Sequence, residues 1–121
     1  MRVAICDGLI VDPVSGVERQ GGVFVDKERI VAVGQSPAGF NADRTINARG
    51  MIIAPGLVDL AARLREPGFE YKATLASEMQ AAVAGGVTTL VCPPDTDPPL
   101  DEPGLVEMLT RRAMNLSLAH V

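Results

Sequence analysis

The stretch APGLVDLAARLREPG, Ala54 to Gly68, decides how this chain is read. Pro55-Gly56 opens it and Pro67-Gly68 closes it. Between them Leu57 to Leu64 reads as a strand. Side chains two apart on a strand share one face, so Asp59, Ala61, Arg63 and Arg65 line up together. A carboxylate, a methyl and two guanidiniums make an unusual face, and its purpose is the question that the rest of the sequence has to answer.

Downstream, the pattern alternates between strand and helix. Arg65 to Lys72 is a loop. Thr74 to Ala84 reads as a helix, because Leu75, Met79, Ala82 and Val83 fall at i, i+4, i+7 and i+8. Gly85-Gly86 stops it. Val87 to Cys92, VTTLVC, is a strand. A proline-rich polar loop runs from Pro93 to Gly104, with Asp101 as the expected N-cap of a helix over Glu102 to Met114. Leu105, Met108, Leu109 and Ala113 give that helix its apolar stripe. A third strand is expected from Leu116 to Val121. Strand–helix–strand–helix–strand is the grammar of a parallel α/β sheet. A closed barrel of this type needs eight strands and about 250 residues. Three strands leave open edges. The segment is therefore either a small open fold or the front of a longer protein. The second reading is preferred, since no repeat or low-complexity segment marks a natural stop.

Upstream, the grammar is β. Val3 to Asp12 suggests a hairpin turning at Asp7-Gly8. Gly22 to Gly34 repeats the plan, with Asp26-Lys27-Glu28-Arg29 as its tip. Ser36 to Asp43 is a loop. A further strand pair is expected around Arg49-Gly50, between Thr45-Ile46 and Ile52-Ile53.

Composition narrows the class. The 121 residues are 47% apolar, with three Phe, one Tyr and no Trp, so the core must be Val, Ile, Leu and Ala. That is the make-up of parallel strands covered by helices. Net charge is −4, and no basic run is interleaved with aromatics, which argues against nucleic acid. No apolar stretch approaches the roughly 20 residues of a membrane helix. The N-terminus lacks a secretory signal. Cys6 and Cys92 lie in strand-like runs and read as buried free thiols of a reducing cytoplasm.

The order and spacing of APGLVDL (Ala54–Leu60), LREPG (Leu64–Gly68), AGGVTTLVC (Ala84–Cys92) and DTDPP (Asp95–Pro99) resemble the dihydroorotase branch of the amidohydrolase superfamily. The likeness covers the whole chain. It implies an α/β protein: an N-terminal β-sandwich portion over residues 1–54, then the first strands and helices of an amidohydrolase (β/α)8 barrel over residues 55–121, incomplete in this chain. It also implies zinc-dependent, reversible closure of carbamoyl aspartate to dihydroorotate in pyrimidine synthesis.

Two departures from the family pattern bear on that activity. The family reads D-L-H-x-H-L-R-E-P-G, and its two histidines bind zinc. Here Ala61 and Arg63 stand at those positions. Zinc needs a lone pair at about 2.0–2.3 Å. Alanine has none, and arginine is permanently protonated with no acceptor. The family also reads N-T-N-P-P where this chain has Asp95. That Asn helps the arginine of L-R-E-P-G, here Arg65, to hold the substrate carboxylate, which an aspartate would repel. Metal site and substrate anchor thus look dismantled, with Arg65 and Asp95 as relics of the substrate site and no catalytic or metal-binding residue left in the segment.

Simpler roles stand beside these. Arg63 and Arg65 could form an anion site, but internal pairing with Asp59, Glu66 or Asp95 is the expectation. Asp95 and Asp97 read as turn and cap residues. His120 alone makes no metal site. Gly85-Gly86 follows a helix, the reverse of a phosphate cradle. Cys92 has no local basic group to activate it.

The reading that follows is a non-catalytic, cytoplasmic dihydroorotase homologue without cofactor. The resemblance implies that such copies persist as oligomeric structural subunits bound to the aspartate carbamoyltransferase catalytic subunit. The rival reading is an active zinc-dependent cyclic amidohydrolase whose metal ligands lie outside this segment. A third is a self-contained α/β binding module.

Overall fold

A computed structural model describes residues 1–121, which divide into two compact units, Met1–Pro55 and Gly56–Val121. No helix is long and apolar enough to cross a membrane.

The first unit is a five-stranded sheet: β1 (Arg2–Asp12), β2 (Val17–Asp26), β3 (Arg29–Gly34), β4 (Arg44–Asn47) and β5 (Ile52–Ile53), in the order β3-β2-β1-β4 with β5 also on β1. The expected hairpin at Asp7-Gly8 is not a turn. β1 runs straight through it, and the register against β2 shifts between Ile5 and Gly8. Asp7 sits at φ 63°, so the dipeptide makes a bulge. An added Cβ on Gly8 would lie 2.6 Å from the Ile53 side chain, which explains the glycine. The real turn is Pro13–Gly16, where Asp12 accepts from the Val14 amide (3.0 Å) and the Ser15 hydroxyl (2.5 Å). The Ser15 hydroxyl first, then the Val14 amide, hold the Asp12 carboxyl below its usual pKa.

The second expected hairpin is present, with Asp26 paired to Arg29 across a two-residue tip. Thr45-Ile46 and Ile52-Ile53 are strands but do not pair with each other. Both run parallel to β1, one along Val3–Cys6 and the other along Leu9–Ile10. The short detour Ala48–Met51 lies opposite the bulge, with the Ala48 amide on the Cys6 carbonyl (2.8 Å) and the Leu9 amide on the Met51 carbonyl (3.0 Å). Ala4, Ile10, Val23, Phe24 and Ala48 form the buried centre, and Phe40 stacks edge-on against Phe24 at 5.5 Å.

The second unit alternates strand and helix: β6 (Leu57–Asp59), α1 (Leu75–Ala84), β7 (Val87–Leu90) and α2 (Pro103–Leu116). β6 and β7 are parallel, joined through α1. Thr74 caps α1 in a capping box with Ser77. Gly85 ends it, and Gly86 takes φ +81°. α2 begins one residue later than expected: Glu102, not Asp101, holds the N-cap position, and Pro103 opens the helix. It also runs past Met114 to Leu116, where Ser117 turns left-handed. The strand expected over Leu116–Val121 is reduced by that extension to a single parallel bridge between Thr89 and His120. The core is Ala62, Leu64, Leu75, Met79, Leu90, Leu109 and Ala113.

Met79 is fully buried between strand and helices. Met79→Ala is expected to cost about 2–5 kcal/mol, from lost burial plus the cavity. Urea unfolding of the two forms measures it.

Candidate functional site

β6 is shorter than the strand expected over Leu57–Leu64, because its ladder with β7 ends at Asp59. The Asp59 side chain accepts from the Ala61 amide at 2.9 Å and turns the chain. The chain nonetheless stays beside the segment following β7. The Val91 amide donates to the Asp59 carbonyl (2.8 Å), and the Ala62 amide donates to the Val91 carbonyl (3.0 Å). Alternation therefore continues: Ala62, Leu64 and Glu66 are buried, Ala61 and Arg63 are exposed, and Arg65 is half-buried.

On the outer side Arg63 Nε donates to Asp95 Oδ2 at 2.7 Å. Of the three acids open to it, the fold selects Asp95, because Asp59 is occupied by its own turn and Glu66 points inward. The two side chains are 54% and 47% exposed, so the pair contributes at most about 1 kcal/mol. Arg65 adopts φ 67° and takes part in none of the ion pairs.

On the inner side lies Glu66, which residue order offered only as a partner for Arg63 or Arg65. Its carboxylate is buried, Oε1 accepts from the Leu75 amide at 2.8 Å, and Arg112 Nη2 stands 2.6 Å from Oε2. The Arg112 approach is charge-to-charge but misses the angle of a hydrogen bond, so Oε2 is neutralised without being fully satisfied. The Leu75 amide is the first of α1, where a carboxylate also meets the positive end of the helix. Glu66 thereby links the loop after β6 to both helices. Its signal was faint: one acid in L-R-E-P-G, and one Arg in the last turns of α2, 46 positions on in sequence.

The two loops at this end of the sheet interlock. The Asp97 amide donates to the Pro67 carbonyl at 3.1 Å. Gly68, at φ +97°, lies against Asp97 so closely that a Cβ would fall 2.1 Å from its carbonyl oxygen. Thr96 is buried, and its hydroxyl donates to the Pro98 carbonyl at 2.8 Å. Glu70 folds back onto the Gly68 amide (2.9 Å). Its own amide first, then that of Gly68, keep its carboxyl below the usual range. Lys72 lies over the rings of Phe69 and Tyr71 at 5.0 and 5.5 Å.

Cys92 and Cys6 are both free thiols and only partly buried. Burial, reinforced by the Asp95 charge against a hydrogen bond from the Leu64 backbone, pushes the Cys92 thiol above its usual pKa. It is the opposite of an activated nucleophile. His120 is engaged through its backbone: its amide donates to Thr88 and its carbonyl accepts from Leu90.

Residues 50–121 match the family model described as dihydro-orotase-like. The chain belongs to the dihydro-orotase-like family. It is 48% identical over 113 residues to a dihydroorotase-like protein of Pseudomonas putida, covering 93% of this chain and 27% of that one. It is 36% identical over 126 residues to a dihydroorotase of Wolbachia sp. subsp. Brugia malayi, covering 99% and 28%. The chain thus spans little more than a quarter of the length of these curated relatives. In fold it matches the L-hydantoinase of Arthrobacter aurescens with a TM-score of 0.74, over 92% of this chain and 24% of that one, at 24% identity. The α/β architecture read from the sequence, with a strand-rich front and the opening of an amidohydrolase barrel, is that of this fold.

The zinc that the resemblance implies does not fit the residues present. Ala61 offers no donor, and Arg63 brings a fixed cation already committed to Asp95. No three His, Cys, Asp or Glu side chains converge to hold a metal.

Arg112→Met should strip the charge partner from buried Glu66 and cost about 1–3 kcal/mol, below the full penalty of a buried pair because Arg112 is half exposed. Gly68→Ala should destabilise by more than about 1 kcal/mol, since strain at positive φ adds to the collision with Asp97. Denaturant unfolding measures both. Cys92 should alkylate more slowly than free cysteine at pH 8, with a rate–pH midpoint displaced upward. Because its pKa is raised in the fold, its contribution to stability is fully present below the unfolded thiol value and is lost as pH rises through the folded one.

Proposed function

We propose that this protein is a non-catalytic dihydroorotase-like subunit with a dismantled zinc site, and that it supports assembly of aspartate carbamoyltransferase in pyrimidine biosynthesis. The observation that carries the reading is the Ala61–Arg63 face: a methyl, then a guanidinium bonded to Asp95 at 2.7 Å. A metal-activated hydrolase needs its ion to make a nucleophile from water and to polarise the carbonyl under attack. A cation fixed at that face opposes a divalent ion instead of ligating it.

Asp95 carries the second half. In the family pattern an Asn at the position of Asp95 assists the arginine of L-R-E-P-G in holding the substrate carboxylate; a carboxylate there repels that ligand, so the anchor is weakened along with the metal site. The two changes are joined in this chain, since Arg63 bonds Asp95, and together they remove both the metal donors and the neutral anchor residue that the family pattern carries. The Pseudomonas relative at 48% identity bears the name dihydroorotase-like protein rather than dihydroorotase, in keeping with this reading. What remains is a scaffold: a sheet-and-helix unit held by packing and by Glu66, able to persist through protein contacts alone.

The full-length protein, mixed with the aspartate carbamoyltransferase catalytic subunit, should elute as a complex of constant ratio on size exclusion. It should carry substoichiometric zinc by elemental analysis and show no ring opening of dihydroorotate at alkaline pH. One zinc per chain together with turnover would show an active amidohydrolase drawing its ligands from elsewhere. Separate elution of the two proteins would remove the scaffold role.

A further inference from the structure

We infer that Arg63 is a positioning residue: a tethered cation that orders the acidic loop between β7 and α2. The inference rests on the reading that the chain holds no zinc at Ala61 and Arg63.

The loop Pro93–Glu102 carries Asp95, Asp97, Asp101 and Glu102, and it contains no Lys or Arg. Four carboxylates within eight positions repel one another, and the loop has no cation of its own to offset them. Its single ion pair reaches out to Arg63 on the segment after β6. These carboxylates do not converge on one point as metal ligands would. The guanidinium enters at Asp95, immediately before buried Thr96 and two residues before Asp97, whose amide donates to the Pro67 carbonyl at 3.1 Å. Gly68 is pressed against the same Asp97. Arg63 thus stands beside the junction where the two loops meet. Its attachment to the chain means that the junction closes without any ion from solution.

The Asp97 amide is a natural reporter. In full-length protein, Arg63→Gln should raise hydrogen exchange at the Asp97 amide by up to about fivefold, the range that a half-exposed ion pair can supply. Arg63→Lys, which keeps the charge, should restore most of the protection. In the wild type, EDTA or added zinc should leave this amide unchanged, while about 1 M salt should loosen it. Unchanged exchange in Arg63→Gln, with near-native melting, would overturn the inference and leave the metal-free reading of the protein intact. Loosening of the wild type by EDTA would also overturn it. Stoichiometric zinc with turnover would instead count against the proposed function, whatever the loop does.

Discussion

One buried carboxylate organises the second unit. Glu66 leaves the sheet end, turns inward, takes the first amide of α1 and meets the guanidinium of Arg112 on α2. A buried charge is costly unless paired, so this arrangement permits little slippage of the chain before it. Because alternation runs back from Glu66 through Leu64 and Ala62, the intervening residues Arg65, Arg63 and Ala61 are directed to the other side. What the outer face can do chemically is therefore decided by an inner-face acid that performs no chemistry.

Membership of the dihydro-orotase-like family and the chemistry of that outer face are separable. The features that carry the fold are packing and backbone features: Leu64, Leu75, Met79 and Leu90 in the core, Gly68 against Asp97, and the capping box at Thr74. None of them involves the side chains of Ala61 or Arg63. The fold is compatible with a methyl and a cation at those two positions. The cation is not neutral to the structure, because its guanidinium makes a directed bond to Asp95.

The first unit shows a similar division between local pattern and pairing. Its strand segments are apolar and easily recognised, but partner choice depends on β1, a long strand that serves β2 on one side and β4 and β5 on the other. The bulge at Asp7-Gly8 lets one strand accept two short parallel partners separated by a detour.

Residue order alone determined the strand-rich front, the two helices, the hairpin at Asp26–Arg29 and the lack of metal donors at Ala61 and Arg63. These follow from local periodicity, from turn chemistry and from the lone pairs that a side chain does or does not possess. Only the tertiary structure decided that Asp7-Gly8 bulges rather than turns, that the two short strands lie on β1 rather than on each other, that the chain after Ser117 touches β7 at one bridge, that Arg63 pairs with Asp95, and that Glu66 is the buried anchor. Each of these depends on groups brought together from distant parts of the chain, where burial and charge compensation choose among partners that local sequence leaves equivalent.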